Sequence, residues 1–470
     1  MAEGRPDPTD AAAGEPALRR PFSHRDTAVS RRVVRPLQEF LRTSSASAML
    51  LLAAVVVALV WANSPWSASY VRLWSTVISI RVGDWALSGD LSHWIDDGLM
   101  TIFFLVVGLE IKRELTTGEL RAWRAAAVPA VAAIGGMVVP ALIFVALNAG
   151  SPAGRGWGIP MATDIAFALG ALTLAAAYAP AALKPLLLTL AIVDDIGAIV
   201  VIALFYSGGI ATIPLLLAVA IVLAIVGLQR IHVRAALPYL VLGVGLWYAT
   251  LRSGVHPTIA GVILGLLTPA RPFQRPAAVS AEARRVADAT SDVPEPPDED
   301  ALMWMRLSWL SKESVSPLAR VEHILLPWSS FVILPVFALA NAGVELSRSA
   351  LANVVTSPLG LGILLGLVLG KPIGVLSGSF LAVRTRLGVL DPDVGWGDLT
   401  GMGATAGIGF TVALFIAELA FPGGRDLDVA KVAILVASTL AAIVGYVLLR
   451  LSPGPARPSE DQSAALSPPG

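Results

Sequence analysis

Long apolar runs separated by short polar segments occupy most of the chain. The runs are continuous and do not alternate between apolar and polar residues, so each indicates an α-helix rather than a strand. A straight helical crossing of a bilayer takes roughly 20 residues. The pattern therefore predicts about twelve membrane-spanning helices, several of them shorter than that length. The predicted spans are residues 46–63, 91–116, 125–148, 157–178, 181–206, 212–229, 236–250, 255–269, 320–343, 358–382, 399–421 and 428–451.

Three segments depart from the apolar pattern. Residues 1–45 are polar and rich in Arg, and residues 452–470 are rich in Pro and Ser, so both are predicted to be disordered cytoplasmic tails. Residues 271–318 contain Pro-rich and acidic stretches beside two tryptophans, which predicts a flexible cytoplasmic insert with one helix at the membrane surface. The remaining residues, 46–451, form the predicted transmembrane domain.

The distribution of Lys and Arg orients the spans, because cytoplasmic loops carry an excess of these residues. With the N-terminus inside the cell, 26 of the 34 Lys and Arg residues fall in cytoplasmic loops and tails. Seven fall outside, and Lys371 lies within a span. The opposite orientation would reverse this ratio. Both termini are therefore predicted to be cytoplasmic.

Composition agrees with a membrane protein and excludes other classes. Hydrophobic residues make up 55% of the chain and charged residues 14%, and the mean hydropathy is +0.72. A soluble domain carries roughly a quarter charged residues. A soluble enzyme, a disordered scaffold and a nucleic-acid binder are thus excluded. Acidic and basic residues balance at 34 each, and the absence of Cys excludes disulfides and thiolate chemistry.

Three ionisable residues lie near the middle of predicted spans, where a charge costs several kcal/mol or more and is a functional hypothesis by default. Asp194 and Asp195 are adjacent in the span 181–206. Neighbouring residues on a helix point about 100° apart, so we expect these carboxylates to face different neighbours. Lys371, in the span 358–382, is too far from either surface to reach water, so it needs a carboxylate partner or must lose its proton.

A fourth membrane charge follows a predicted break in a helix. Pro160 interrupts the span 157–178, and Thr163 and Asp164 come directly after it. An Asp at this place could simply cap the second half of the helix. An interrupted membrane helix also frees backbone carbonyls to bind a cation, so capping and ion binding are compatible.

A second interruption lies in the Gly-rich span 399–421. Close packing of small residues is the competing explanation for these glycines. However, residues 125–206 and 358–451 each form a group of three spans with the interrupted span in the middle. Two broken helices in corresponding places are typical of transporters with inverted repeats.

Four residues outside the middle of the spans are candidates for sensing pH. Glu110, Glu322 and His323 lie near the predicted cytoplasmic face, and His256 precedes Pro257. Each alone is an ordinary charged helix end. Histidine is the side chain that titrates near neutral pH, so together they could respond to it.

Six motifs resemble, in order, those of the bacterial NhaA-type sodium/proton antiporters. The resemblance extends from about Thr43 to Arg450. It implies an all-α membrane protein of twelve helices with two inverted repeats, whose two broken helices cross near the middle of the bilayer. The motifs are FFLVVGLEIKREL, ATDIAFALG, LAIVDDIGAI, SGVHPTIAGV, LGKPIG and GIGFT.

The resemblance also implies roles for individual residues. The sodium-site aspartates of the family fall on Asp164 and Asp195, and its site threonine falls on Thr163. Asp194 falls on the partner of Lys371. The positions that the family links to pH response fall on Glu110, Glu322 and His256. An acidic position on its second helix falls on Asp97. Leu326 stands where many members have a second histidine, and the segment 271–318 and the N-terminal tail are longer than usual.

The expected activity is export of cytoplasmic Na+, and of Li+, in exchange for external protons. Sodium prefers oxygen ligands, and a buried carboxylate can hold either a proton or a cation. Two protons for one Na+ would make the exchange electrogenic. The resemblance implies a protein of the bacterial inner membrane, regulated by pH, with no cofactor and with a homodimer as the candidate assembly.

Two other functions were weighed against exchange. A sodium-coupled symporter of an organic solute could share the inverted-repeat plan, but it would need further polar groups for its solute near the bilayer midplane. An intramembrane aspartyl protease would need a second catalytic Asp after a Gly-x-Gly motif, and Phe410 stands at that place. The sequence therefore favours a secondary transporter and not an enzyme.

Overall fold

The computed structural model describes residues 44–83, 85–121, 123–175, 179–290 and 298–452. Nearly all of the predicted tails 1–45 and 452–470 lie outside these residues. Every apolar run predicted from the sequence is helical. Helices are favoured there because the bilayer offers no partner for backbone N–H and C=O groups, which a helix satisfies within one segment.

The α-helices follow one another with few other elements between them. Helices α1 to α10 are Ser44–Ala62, Ser67–Trp74, Leu91–Trp94, Met100–Thr116, Trp123–Asn148, Ile165–Leu174, Leu183–Phe205, Thr212–Arg230, Ala236–Ser253 and Thr258–Leu267. Helices α11 to α20 are Pro276–Thr290, Asp298–Glu313, Pro317–Trp328, Leu334–Asn341, Arg348–Thr356, Pro358–Leu365, Lys371–Arg384, Trp396–Ala406, Phe410–Ala420 and Arg425–Leu451.

Helices of other types connect some of these elements. The π-helical turns join α3 to α4, α13 to α14 and α16 to α17, and 3-10 helices precede α5 and α6. The π-helical turns are Ile95–Leu99, Ser329–Ile333 and Gly366–Gly370, and the 3-10 helices are Glu119–Arg121 and Pro152–Met161.

Within the described residues, six helical runs are long and apolar enough to cross a membrane. Three pairs of helices meet the same condition together but are bent between their members. Two of these pairs are bent by 46°, at the breaks predicted in 157–178 and 399–421, which confirms both interruptions. The third bend, of 116°, separates α1 from α2, so α2 does not continue the line of α1.

A two-stranded hairpin, which the sequence did not indicate, lies between α2 and α3. Its antiparallel strands are β1 (Val77–Val82) and β2 (Trp85–Asp90), with Val77 opposite Asp90. The turn begins at Gly83, whose φ of +61° is readily adopted only by glycine. The strand Val77–Val82 is rich in β-branched residues, which favour extended backbone.

The insert 271–318 contains two helices, α11 and α12, so the prediction of a single helix is wrong. The reason is a pattern in α11: Val279 and Val286 lie seven residues apart on one helix face, and both are buried. Helix α12 packs against α11. The apolar residues of the insert thus form a helical hairpin.

Close contact between α5 and α17 fixes the position of Lys371. A Cβ atom added at Gly374 would overlap the carbonyl oxygen of Gly135, so these helices touch through their backbones. Lys371 begins α17, three residues before Gly374 and directly after the π-helical turn Gly366–Gly370. The glycine contact therefore holds the lysine against the interior of the bundle.

Candidate functional site at the helix crossing

The two broken helices cross at their breaks. There, each provides hydrogen-bond partners for groups that the break in the other leaves without a partner in its own helix. The Asp164 backbone N–H donates to the carbonyl of Ile408 at 2.6 Å, and the Thr163 hydroxyl donates to the carbonyl of Ala406 at 2.8 Å. In the other direction, the Thr411 N–H donates to Asp164 Oδ2 at 3.0 Å, and its hydroxyl donates to the same oxygen. Buried backbone groups freed by the two breaks are thus satisfied across the crossing.

Local sequence explains why the chains can approach so closely. A Cβ atom at Gly409 would lie 2.9 Å from the carbonyl oxygen of Ala162, closer than real Cβ atoms come. On the other side, Asp164 has extended backbone and caps α6 by accepting from the Phe167 N–H at 3.1 Å. Capping is therefore one role of Asp164, and it leaves the carboxylate at the centre of the crossing.

Lys371 joins two other predicted residues, Asp194 and Thr163, in one buried chain of contacts. Its ammonium donates to Asp194 Oδ2 at 2.8 Å and to the Thr163 hydroxyl at 2.9 Å. All three side chains are at most 1% exposed. The second carboxylate oxygen of Asp194 is buried, and among the described residues it has no hydrogen-bond partner. The lysine therefore neutralises one of the membrane carboxylates.

Asp195 has different neighbours from Asp194, as the 100° spacing predicts. Its side chain is buried at 6% exposure and lies within electrostatic reach of Asp164, Asp194 and Lys371. In the part of the chain that the structure describes, no protein donor hydrogen-bonds to its carboxylate. Among the three aspartates at the crossing, Asp195 is therefore the one that accepts no hydrogen bond from the described residues.

The charges at the crossing do not balance. Asp164, Asp194 and Asp195 supply three carboxylates, and Lys371 supplies one ammonium. A buried carboxylate without a partner is costly, so the remaining negative charge calls for protons or a cation. The available donor atoms are carboxylate and hydroxyl oxygens, which suit a hard cation such as Na+.

A second cluster lies at the C-terminal part of α4, where Arg113 brings two predicted residues together. Its guanidinium donates to Glu322 of α13 and lies 3.6 Å from Glu110 and 3.9 Å from Glu114. The sequence analysis did not single out Arg113. Its spacing of three residues from Glu110, which places the two on one helix face, was the available signal.

The other candidates for pH response lie elsewhere. His256 Nε2 is 3.7 Å from Asp97, at the start of the helical run that ends with α4, and His256 Nδ1 bonds to the Thr258 hydroxyl. Asp97 and Glu110 are 13 residues apart in that run, or about 20 Å at 1.5 Å per residue. His323 is exposed and joins neither group. Glu110 and Glu322 thus share one cluster, whereas His256 and His323 each lie elsewhere.

Two further residues escaped the sequence analysis. Thr411 contributes to the crossing, and it follows the second break much as Asp164 follows the first, which was the signal for it. His93 lies with its Nε2 3.0 Å from Asp97 Oδ2. Their spacing of four residues places both on one face of a helix.

The amino-acid sequence matches one family model and several named proteins. The family model described as Na+/H+ antiporter 1 matches residues 38–449. A protein of Sorangium cellulosum named Na(+)/H(+) antiporter NhaA 2 is 46% identical over 93% of this chain and 94% of its own length. Proteins named Na(+)/H(+) antiporter NhaA from Oleidesulfovibrio alaskensis and an Anaeromyxobacter species are 47% and 48% identical. They are matched over 89% and 90% of this chain and 94% and 92% of their own lengths.

Proposed function

Because this chain belongs to the Na+/H+ antiporter 1 family, we propose that it exports cytoplasmic Na+ in exchange for external protons. The observation that carries this proposal is the placement of Asp164 and Asp195 beside the neutralised pair of Lys371 and Asp194. No observation favours the alternative of a sodium-coupled symporter.

Exchange follows from competition at the crossing. Two carboxylates out of water are stabilised either by protons or by a cation. Na+ entering from the cytoplasm binds between Asp164 and Asp195 and displaces the proton of Asp195, with Thr163 and Asp194 completing the surroundings. After the site opens to the outside, Na+ leaves and protons return. Li+, another hard monovalent cation, is proposed to follow the same path.

Two protons leave for each Na+ if Asp195 and one further group each titrate during the cycle. That further group is Asp164 or the pair of Asp194 and Lys371. The exchange then moves net charge across the membrane. Each 100 mV of membrane potential contributes a driving free energy of about 2.3 kcal/mol for each charge moved. No cofactor is part of this cycle.

Two broken helices with equal bends support a fold of twelve spans with two inverted repeats around the crossing. Rocking of one helix bundle against the other would then expose the site to each side in turn. The Lys and Arg distribution supports cytoplasmic termini and a place in the bacterial inner membrane. The candidate assembly is a homodimer.

Regulation by pH is proposed to involve two places. The cluster of Glu110, Arg113 and Glu322 lies at the proposed cytoplasmic end of α4, and His256 with Asp97 lies toward the outside. Both places contain titratable groups that link different helices. Changes in their charge would alter the relative positions of those helices.

The test is a ΔpH assay in everted vesicles, using a dye that accumulates in acidic vesicles. Na+, Li+, K+ and choline salts are added from mildly acidic to alkaline pH. We expect Na+ and Li+ alone to restore fluorescence, and Asp195→Asn to abolish the response. Asp393→Asn, which alters an exposed carboxylate, is the matched control and should behave as the parent.

Two results would overturn the proposal, provided that size-exclusion chromatography shows a folded protein. One is a Na+ response of parental size in Asp195→Asn. The other is Na+ uptake that requires an organic solute and moves no protons, which would indicate symport.

A further inference from the structure

The helical hairpin of α11 and α12 is not used by the exchange proposed above, yet it is firmly attached to the bundle. Arg234, between α8 and α9, donates from one guanidinium nitrogen to both carboxylate oxygens of Glu313 at 2.8 Å. Glu313 is only 5% exposed and also accepts from the Gln274 side chain. The Arg234 guanidinium lies over the rings of Phe273 and Trp309 at 5.3 and 5.5 Å. The base of the hairpin is therefore fixed to a loop between two helices of the bundle.

The end of α12 is also close to a membrane-spanning segment. Only three residues separate Glu313 from Pro317, the start of the candidate span Pro317–Asn341. Even a fully extended chain over four residue steps reaches about 14 Å. The Leu318 N–H donates to the carbonyl of Pro269, which holds together the chains entering and leaving the insert. Helix α12 is thus held near the membrane surface.

Helix α12 has one uncovered apolar face, whose side chains are each more than half exposed within the described residues, with the Arg234 guanidinium over one side of Trp309. Leu302, Met305 and Trp309 are 65%, 67% and 51% exposed. At 100° per residue, these three side chains lie within about 60° of one another around the helix. Another set of apolar residues points away from them, lies partly buried and is oriented to pack on α11. That set is Met303, Leu307 and Leu310.

Basic residues flank the uncovered face. Arg306 and Lys312 are exposed, and they lie about 40° and 80° to either side of Leu302. Exposed arginines also surround the base of the hairpin. These are Arg230, Arg271 and Arg275. Acidic residues 298–300 are confined to the end of α12 that is farthest along the chain from the span. Positive charge is therefore concentrated toward the span.

We propose that α12 lies on the cytoplasmic surface of the bilayer and binds anionic phospholipid. Leu302, Met305 and Trp309 enter the interface between headgroups and acyl chains, where tryptophan is favoured. Arg306 and Lys312 contact acidic headgroups, whose negative charge attracts basic side chains near the membrane surface. Trp304 is about 140° from Trp309 around the helix and takes no part.

Membrane lipid fits this surface better than a protein partner does. An apolar strip with basic residues on both sides is the pattern of helices that lie in a membrane interface. The short connection to Pro317 keeps the strip near that interface throughout the transport cycle. The inference uses the proposed orientation, which places residues 271–318 in the cytoplasm, but not the proposed ion chemistry.

The experiment uses the full-length protein in vesicles, and the absence of Cys permits single labels. Met305→Cys carries an environment-sensitive fluorophore on the proposed lipid face. Ser311→Cys, about 120° from Met305 and 180° from Leu302 around α12, is the matched control on an exposed position. Each label is exposed to a quencher in the lipid chains or to iodide in water.

With phosphatidylglycerol present, we expect the lipid quencher to act several-fold more strongly on the label at 305 than on the label at 311. Iodide should show the reverse order. Pure phosphatidylcholine, or Arg306→Gln combined with Lys312→Gln, should reduce the difference. Equal access of iodide to both labels would overturn the proposal. The proposal would also be overturned if the label at 305 were shielded from both quenchers and this shielding increased with protein density. Such a result would indicate that a second copy of the chain covers the face.

Exchange assays on the labelled proteins separate this proposal from the one above. Normal exchange with a water-exposed label at 305 contradicts only the lipid contact. Absent exchange in the unlabelled parent, with lipid quenching retained at 305, contradicts only the proposed transport.

Discussion

The ammonium of Lys371 lies 2.8 Å from Asp194 Oδ2 and 2.9 Å from the Thr163 hydroxyl, with no water access to either contact. One side chain thereby connects α17, the helix that carries the aspartate pair, and the first broken helix. Because Asp194 is held by this contact, the neighbouring Asp195 remains available for ions. The two adjacent aspartates therefore have different surroundings, and Asp195 is the one that we propose binds ions.

Lys371→Ala should destabilise the protein. The substitution leaves Asp194 buried without its cation, and breaking a buried ion pair costs roughly 3–5 kcal/mol. We expect a clear fall in the melting temperature of the purified protein and a displaced pH profile of exchange. Asp194→Asn combined with Lys371→Met removes both charges and should recover part of the stability. An unchanged melting temperature in Lys371→Ala would contradict the pairing.

Thr411→Val should weaken Na+ binding without unfolding the protein. Valine has a similar shape but removes the hydroxyl that donates to Asp164, so the carboxylate loses one of its fixed partners. We expect a KM for Na+ several-fold above that of the parent, measured from initial exchange rates. Thr411→Ser keeps the hydroxyl and should restore the parental KM. Equal KM values in the Val and Ser variants would remove Thr411 from the site.

Arg113→Gln should change both stability and the pH profile. The guanidinium lies among three carboxylates of α4 and α13, and like charges at 4 Å repel by about 1–4 kcal/mol in water or near a protein surface. We expect a lower melting temperature and a displaced pH of half-maximal exchange. His323→Ala, on an exposed position of α13, should leave both unchanged. A parental profile in Arg113→Gln would show that this cluster does not regulate exchange.

Gly374→Ala should be destabilising, whereas Gly227→Ala should be neutral or stabilising. A Cβ at Gly374 overlaps the backbone of α5, and a Cβ at Gly227 on α8 meets nothing within 4 Å. Alanine is favoured over glycine in a helix by up to about 1 kcal/mol, so the crowding alone separates the two variants. Melting temperatures of both purified proteins provide the comparison. A similar change in both would mean that α5 and α17 are not in close contact.

Labelling of single cysteines should reveal the orientation in intact cells. Ser79→Cys lies on the exposed hairpin of β1 and β2, and Ser280→Cys lies on an exposed position of α11. A maleimide that cannot cross membranes should label position 79 in whole cells and position 280 only after the cells are broken. The reverse result would invert the proposed topology and place α12 outside the cell.

Much of the architecture is readable from the sequence because it depends on local properties. A long apolar run predicts a membrane helix. Pro160 and the glycines before Gly409 predict the interruptions of two such helices. A charged residue such as Lys371 is conspicuous among apolar neighbours. These features identified both breaks and the four membrane charges. Six motifs then identified the family.

The tertiary structure decided which of these residues meet. The contacts of Thr163 with Ala406 and of Lys371 with Asp194 join residues 243 and 177 positions apart, and no periodicity in the sequence encodes such pairs. Their positions depend on how closely the helices approach, which glycines such as Gly374 and Gly409 permit. The same packing separates His256 from Glu110. It also places Arg113 between two helices, where it contacts carboxylates of both. The sequence determined the helices and their unusual residues, and packing determined the site.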